Sequence, residues 1–463
     1  MGGGYYSQKI GSGRLSISGR RSYADIFSSG NDQYSLWPAF WDYLLRYDQS
    51  ISSKSSWGIS AIGASDRYGR YAFDSESLDP FSRTENPNFL YERTFHGILG
   101  RFSFAGDKLH SQSTLGLVHD QWDGQVSSAV QERQEQYVYA RSQNYWLLND
   151  SASISWGLEG KGGVTDVLCT AENSWFSLSG EAPYLEAGEP IDDDFLDGFV
   201  AGWIELRQKG PSFSWYPGVR VQQSFSGENT LDPRLTVQWS NEMFKFRIGG
   251  GQYSQLATRE DTWDSVLTSH QVSSGLEMYG LEDWRFSLDV WGRDIEGRES
   301  GEDGWALGSE LLLSYSPSSK IFSWFSLQVA HSEQQELYIQ PFALNFVYSW
   351  QWRPDIDFGV RYRYSSGMPY IPPVDGRYIA QEDRYIPILD DSASGRLPDY
   401  QKLDLHIAKK WYAFNHTIVT YAEIWYVPPS ANFLYPIYNF NFTDEQLVVG
   451  PPIVPLLGIR VEN

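Results

Sequence analysis

Residues 356–364 read IDFGVRYRY, so that every second side chain is apolar or aromatic and the ones between are charged or small. A β-strand places successive side chains on opposite faces of its sheet, so this spacing predicts a strand with one apolar and one charged face. The same alternation recurs around Phe244, Phe286 and Leu403. Full charges on strand after strand argue against a packed sandwich core, because an unpaired charge is costly to bury. For any single strand, a soluble sheet with its charged face in water stays an alternative.

The connections between these strands alternate in length. We predict about twenty strands from the pattern. Turn chemistry marks the short connections, as at Gly106-Asp107, Gly210-Pro211 and Arg353-Pro354. A soluble sandwich has no reason to keep its long loops at one end, whereas an outer-membrane barrel has short periplasmic turns and longer extracellular loops. The sequence therefore predicts an all-β protein, a transmembrane antiparallel β-barrel. The long connections are predicted at 68–89, 121–135, 163–196, 254–267, 367–399 and 427–453.

The composition agrees with a barrel and excludes other classes. The 463 residues include 19 Trp, 30 Tyr and 25 Phe, which excludes intrinsic disorder. A formal net charge of −22 lacks the basic footprint that phosphate contacts need, so we expect no nucleic-acid partner. Barrels place Trp and Tyr at the two membrane–water interfaces. Candidates for such girdles, near predicted strand ends, are Trp146, Tyr315, Trp324, Trp350, Trp352, Trp411, Tyr412, Trp425 and Tyr426.

No catalytic or cofactor motif is present. The seven histidines are scattered, Cys169 is the single cysteine, and no nucleophile elbow, P-loop or dinucleotide fingerprint occurs. We therefore expect no enzyme activity, no cofactor and no metal. The acidic stretch 191–198 reads IDDDFLDG and is predicted to end a long extracellular loop. Calcium binding there is weighed against a solvated acidic loop, because the full calcium-loop spacing is missing.

Several segments resemble the barrel of TonB-dependent outer-membrane receptors. Residues 15–23 (LSISGRRSY) are similar to an early strand of that family, and 232–235 (DPRL) with 251–255 (GQYSQ) to its middle. Residues 366–370 (SGMPY) resemble the entry to a late extracellular loop, and 395–405 (GRLPDYQKLDL) resemble the strand that follows. The end of the chain, 453–461, resembles the closing strand, although the family usually ends in an aromatic residue. The resemblance thus spans nearly the whole chain.

The resemblance implies a barrel of about 22 strands around a plugged lumen. We expect residues 1–463 to form one outer-membrane β-barrel domain without its first strands, roughly two of them ahead of Arg14, and without the N-terminal plug. The chain would then be a fragment, a mis-started reading frame or one part of a split receptor. The implied partners are outer-membrane lipids, a plug domain or separate plug polypeptide, the TonB-type energy-coupling complex acting through that plug, and a small-molecule or glycan ligand.

Two sets of side chains are the candidate functional residues. In the predicted loop 367–399, ligand contacts are expected from Tyr370, Tyr378, Arg384 and Tyr385, although such loops also serve as structural lids. On the charged face, contact with a plug is weighed equally against ion pairing within the wall. The residues of this second set are Lys245, Arg247, Arg361, Arg363 and Asp404.

The leading functional hypothesis is uptake of a scarce nutrient such as a siderophore, cobalamin or glycan by a TonB-dependent receptor in the outer membrane. The runner-up is a passive, porin-like channel, because a barrel without a plug would leave an aqueous pore. A soluble β-rich carbohydrate-binding protein is the third class. No internal repeat favours a propeller for that third class.

Overall fold

Antiparallel strands make up nearly all of the described chain. A computed structural model describes residues 2–22, 39–70, 89–126, 129–170, 191–256, 266–279, 281–297, 304–333, 340–370, 372–380, 384–389, 395–413, 416–426, 432–439, 441–449 and 453–462. Twenty-one strands form one sheet. They are β1 (Gly2–Ile10), β2 (Gly13–Arg21), β3 (Ala39–Ser50), β4 (Ser55–Arg70), β5 (Phe89–Ala105), β6 (Leu109–Val126), β7 (Ala129–Asn149), β8 (Ala152–Thr170), β9 (Ile191–Lys209), β10 (Phe213–Ser224), β11 (Asn229–Ser240), β12 (Phe244–Leu256), β13 (Val266–Met278), β14 (Trp284–Gly297), β15 (Gly304–Ser318), β16 (Ile321–Ser332), β17 (Phe342–Arg353), β18 (Ile356–Ser365), β23 (Tyr400–Ala413), β24 (His416–Tyr426) and β27 (Ile453–Glu462).

Three small two-stranded sheets lie in the connections near the end of the chain. Two of them belong to the connection between β18 and β23, and the third belongs to the connection between β24 and β27. Within the described residues, no helix is long and apolar enough to cross a membrane. The short strands are β19 (Pro369–Tyr370) paired with β22 (Gly395–Arg396), β20 (Pro373–Ile379) with β21 (Arg384–Leu389), and β25 (Phe433–Tyr438) with β26 (Glu445–Val449).

From β1 to β27, each strand of the large sheet pairs with the next strand of that sheet along the chain, so the sheet is a continuous meander. Ahead of Arg14 we expected roughly two further strands, and the structure places one there, β1, which pairs with β2 from Gly2–Arg21 to Ile10–Gly13. The prediction of about twenty strands in an all-β antiparallel sheet is confirmed, with 21 in the sheet.

The tight connections predicted from turn chemistry lie at one end of the sheet, although the four-residue connection 225–228 between β10 and β11 lies at the other. Residues 106–108 join β5 to β6, and the backbone N–H of Gly106 donates to the carbonyl of Leu109 at 2.8 Å. At 241–243 the Asn241 side chain accepts from the backbone N–H groups of Met243 and Phe244, at 2.9 and 2.7 Å. These bonds close each turn locally, which is why short polar sequences suffice there.

The opposite end carries the longer connections, but two segments that were predicted to be loops there are strands. Residues 121–135 were predicted to be a long loop, but β6 and β7 continue through them and stay paired as far as Val126–Ala129. Residues 191–198 were predicted to be the end of a loop, but they form the first part of β9, paired with β8 from Ile191–Cys169 to Gly198–Gly162. Polar residues extend both strands because backbone pairing does not need an apolar face.

The two faces of the sheet differ sharply, and the sheet has little buried interior. One face carries large apolar side chains that are open to the surroundings, such as Leu115 at 58% and Leu158 at 58% exposure. The other face carries most of the charges of the strands, and neighbouring strands keep this alternation in register, as where Arg361 faces Asp404. Among the described residues only Val266 and Asp232 are large side chains below 2% exposure.

Candidate functional site

The charged face is a network of cross-strand ion pairs. Glu159 of β8 accepts from Arg220 of β10 and lies 3.6 Å from the Nε of Arg141 on β7. Glu135 pairs in the same way with Arg133 on its own strand and with Lys161 of β8, at 3.4 Å for the lysine. The carboxylates of Glu159 and Glu135 are only 12% and 15% exposed. Carboxylates this enclosed need their cations, because a half-buried charge without a partner is strongly destabilising.

Small residues let several of these contacts cross an intervening strand. Arg101 of β5 reaches Asp48 of β3 at 2.9 Å over Gly58 of β4. A Cβ on Gly58 would lie 2.5 Å from the Asp48 carboxylate oxygen, so a larger residue there would displace the Asp48 side chain from this contact. Gly275 of β13 likewise lies beneath a contact between its two neighbouring strands, the 2.8 Å bond from Arg247 to Asp289. A Cβ on Gly275 would be 2.4 Å from the Asp289 carboxylate.

The five residues predicted for the charged face all lie on it. Lys245 bonds Glu277 at 2.9 Å, and Arg247 bonds Asp289. The Nε of Arg361 donates to Asp404 at 2.7 Å. Arg363 is exposed, and no ion pair of the described residues includes it. Ion pairing within the wall, one of the two interpretations we weighed, therefore involves four of the five, while contact with a plug stays a prediction.

The apolar face carries a belt of indole rings near the tight-turn end. Trp146 and Trp350, two of the predicted girdle residues, are in it, at 49% and 37% exposure. Three of the predicted girdle residues lie on the charged face instead, namely Trp324, Tyr412 and Trp425. There Lys402 lies 4.0 Å from the centroid of the Trp425 ring. The side chain of Tyr426 lies outside the described residues. The belt comprises Trp57, Trp146, Trp156, Trp215, Trp239, Trp284, Tyr315, Trp350, Trp352 and Trp411.

At the opposite end the last two large connections pack together into one unit, which we call the cap (described residues between 366 and 399 and between 432 and 449). The Tyr370 hydroxyl donates to the Glu445 carboxylate, at 3.1 Å to either oxygen. The backbone of Gly376 lies against that of Asn441, since a Cβ on Gly376 would be 2.0 Å from the Asn441 carbonyl oxygen. Each connection therefore positions the other.

Asn432 fastens the cap to the wall. Its side-chain oxygen accepts from the backbone N–H of Gln401 at 2.9 Å, and its side-chain nitrogen donates to the Gln401 carbonyl at 2.7 Å. The amide thus takes the place of a pairing strand at the start of β23. Asn432 is 7% exposed, so water does not replace either bond readily.

The four predicted ligand residues lie in the cap but do not converge on one point. The Tyr378 and Tyr385 rings are 5.2 Å apart, and these two residues face each other across the β20–β21 pair. Arg384 pairs with Ile379 at the end of the same hairpin, and its side chain lies outside the described residues. Tyr370 is turned toward Glu445 on the other connection, and burial, followed by Glu445, raises the pKa of its hydroxyl. The three tyrosines therefore make contacts within the cap, and ligand binding by them stays a prediction.

The acidic stretch 191–198 has no metal-site geometry in the described part of the chain. Asp194 and Asp197 of β9 point to opposite faces of the strand, because their separation is odd. No group of three or more possible ligands that could hold a metal ion occurs among the described residues. The triple glycine 249–251 lies inside β12.

Sequence reasoning missed the residues that act through tertiary contacts. Glu445 and Asn432 belong to a connection that was predicted only as a long loop. Gly58 and Gly275 gave a usable signal, since a glycine at a charged-face position inside a strand marks a close approach of other side chains.

The structure is similar to solved structures of outer-membrane transport receptors. No protein-family model and no curated protein matches the sequence. The chain superimposes on the FrpB iron transporter of Neisseria meningitidis with a TM-score of 0.66 at 12% identity, covering 99% of this chain and 78% of that one. It matches BauA, the ferric preacinetobactin receptor of Acinetobacter baumannii, with a TM-score of 0.67 at 12% identity, covering 100% and 78%. The copper transporter OprC gives 0.65 at 10% identity, covering 97% and 75%.

The chain has the barrel fold of TonB-dependent receptors. The prediction made from its sequence is therefore confirmed at the level of the fold. In such a barrel the apolar face meets lipid and the charged face lines the lumen. The ion-pair network then forms the lumen wall, the tight turns are at the periplasmic rim, and the cap lies at the extracellular rim.

Proposed function

We propose that this protein is the barrel of a TonB-dependent transporter that takes up a scarce nutrient across the outer membrane. The likeness of nearly the whole chain to transport receptors carries this proposal. The indole belt and the apolar face suit an integral outer-membrane protein surrounded by lipid. Transport receptors are not enzymes, which supports the expectation that this chain has no catalytic activity.

The lumen needs a plug for active transport. We propose that residues 1–463 supply the wall and the cap, and that a plug, in the same or a separate polypeptide, fills the lumen and contacts the TonB-type complex. The wall offers a polar, water-compatible surface for it, since its charges are largely paired, as for Lys245 with Glu277. The plug and not the wall would then make the energy-coupling contact.

The cargo is proposed as a small molecule that meets the cap first. Iron, a ferric siderophore and copper are what the names of the similar proteins give for those proteins. A ferric siderophore is the class we favour, ahead of cobalamin and glycans. The exposed Tyr378 ring, 49% accessible beside Tyr385, offers an aromatic surface to such a ligand.

The proposal is tested by uptake in cells that express the chain with its native upstream sequence under iron limitation. We expect accumulation of radiolabelled ferric siderophore that stops when the TonB-type complex is removed. Accumulation that is unchanged without that complex would contradict active transport.

Planar-bilayer conductance separates the passive channel from the transporter. Large, stable openings from the protein with its upstream sequence, together with energy-independent uptake, would favour the porin-like alternative. Recovery of the correctly exported protein from the soluble fraction would contradict both membrane functions.

A further inference from the structure

Two arginines in the lumen wall differ from the paired cations around them. Arg234 of β11 and Arg293 of β14 both lie on the charged face, and no ion pair of the described residues includes either. In each, the Nε atom is buried and has no hydrogen-bond partner in the described structure. A buried Nε–H without an acceptor is in an unfavourable state, and a cation without a counterion beside it favours the approach of an anion.

The two arginines belong to one row of the sheet. The register runs from Arg234 through Gly251 and Gln271 to Arg293. A Cβ on Gly251 would lie 2.8 Å from the Cγ of Arg234, so the arginine leans over β12 toward β14. Three strand spacings, or ~14 Å, therefore separate the two arginine positions in this row.

An aromatic ring supports each guanidinium. Arg234 lies 4.2 Å from the centroid of the Tyr253 ring, and Arg293 lies 5.7 Å from that of Trp291. Trp291 is itself seated on Gly308, where a Cβ would be 2.5 Å from the indole. Stacking holds a guanidinium while leaving its N–H edge available to an acidic group.

Nearby carboxylates of the wall are engaged elsewhere. Asp232, two residues from Arg234, is 1% exposed and accepts from the Ser254 hydroxyl at 2.7 Å and from its backbone N–H at 3.3 Å. Asp289, four residues from Arg293, is bonded to Arg247. Neither lies within ion-pair distance of Arg234 or Arg293, so the wall does not neutralise its own two cations.

We propose that Arg234 and Arg293 form an anion-binding site in the lumen wall for a ligand with two acidic groups ~14 Å apart. Carboxylate or phosphate oxygens are the chemistry that two planar guanidiniums recognise. Such groups belong either to an acidic polypeptide segment inside the lumen or to a diffusible polyanion. The site is separate from the cap and does not depend on which nutrient is transported.

Isothermal titration of the full chain in detergent tests the site with hexaglutamate, dodecanedioate and a linear polyphosphate of about ten phosphates as probes, because each can place acidic groups ~14 Å apart. We expect at least one probe to bind, with affinity that falls as salt is raised. Arg234→Gln and Arg293→Gln should each weaken binding at least tenfold, whereas the matched control Arg247→Gln, which loses a paired arginine, should change it less than twofold. Binding of hexaglutamate alone would identify a polypeptide source, and binding of a small anion would identify a diffusible one.

A readout without substitution guards against misfolded variants. Bound probe should protect Arg234 and Arg293 from phenylglyoxal, mapped by mass spectrometry, while exposed Arg363 stays reactive. Failure of all three probes to bind the wild-type chain, or binding that both glutamine variants retain, would overturn the proposal. Neither readout measures transport, so this result is independent of the uptake experiment.

Discussion

The wall and the cap are held together by different means. In the wall, backbone pairing sets the register, and charged side chains then bridge strands over glycines, as Arg101 and Asp48 do over Gly58. In the cap, side chains bond backbone directly, as Asn432 does at Gln401. A regular sheet repeats its contacts every second residue, whereas the cap depends on a few single contacts. The wall should therefore tolerate most substitutions except at the glycines over which side chains of other strands pass. A substitution in the cap should change the structure of the cap without unfolding the wall.

We expect the largest loss of stability from filling a position where a side chain of one strand lies over a glycine of the neighbouring strand. Gly157 on β8 lies beneath Trp203, and a Cβ there would be 2.2 Å from the indole and 2.5 Å from the Ser142 carbonyl oxygen. Gly157→Val should cost more than ~3 kcal/mol, because backbone must move as well as the ring. Heat-modifiable migration on unboiled gels measures the folded fraction. Gly292→Ala, where nothing lies within 4 Å, is the control and should fold normally.

The next effect should come from removing a carboxylate shared by two arginines. Glu159→Gln leaves Arg141 and Arg220 without their counter-charge in a site where Glu159 is 12% exposed. We expect a loss of ~2–3 kcal/mol in the free energy of unfolding, less than for a fully buried pair because Arg141 is partly solvated. Urea unfolding monitored by Trp fluorescence gives the value.

Asp42→Asn is the matched control for that carboxylate. Asp42 pairs with Arg20, whose side chain is 59% exposed. The loss there should be under ~1 kcal/mol. Equal losses in the two variants would show that the wall network adds nothing beyond surface pairing.

In the cap, Asn432→Ala should loosen one attachment without unfolding the wall. Two backbone groups of Gln401 lose their partners, which corresponds to ~1–3 kcal/mol locally. Hydrogen exchange should quicken at Gln401 and across 432–449, while the exchange of β7 and β8 stays unchanged. Thr443→Ala, which removes a hydroxyl bonded to Asn441 at 2.8 Å, is the control within the same connection. Global acceleration of exchange would contradict the separation of wall and cap.

The smallest effect should be a dependence of the cap on alkaline pH. Burial raises the pKa of Tyr438, and burial together with Glu445 raises that of Tyr370. Because both folded pKa values lie above the unfolded value of about 10, the cap keeps this stability below pH ~10 and loses it as the pH rises further. Hydrogen exchange of 432–449 between pH 9 and 11 should show the loss, and Tyr370→Phe should reduce it.

Most of the wall could be predicted from the sequence, but few of the contacts in the cap could. Alternation at 356–364 placed Arg361 and Arg363 on one face and the alternation around Leu403 placed Asp404 on the polar face of its strand, and the register brings Asp404 opposite Arg361. Three aromatic predictions, Trp324, Tyr412 and Trp425, were wrong because proximity to a strand end does not say which face a residue occupies. The Tyr370–Glu445 contact joins residues 75 positions apart, and no local pattern encodes such a contact.

The belt also fixes a depth scale. On β4, the outward indole of Trp57 and the outward ion pair of Arg67 with Glu92 are ten residues apart, or ~33 Å along the strand and ~25 Å along the membrane normal at a 40° tilt. That equals the thickness of the hydrocarbon layer around such barrels. Strands such as β7, with 21 residues, must therefore rise well above the lipid surface, while β18, with 10, barely clears it. The rim is consequently uneven, with the longest strands rising on one flank and the cap standing on the lower flank.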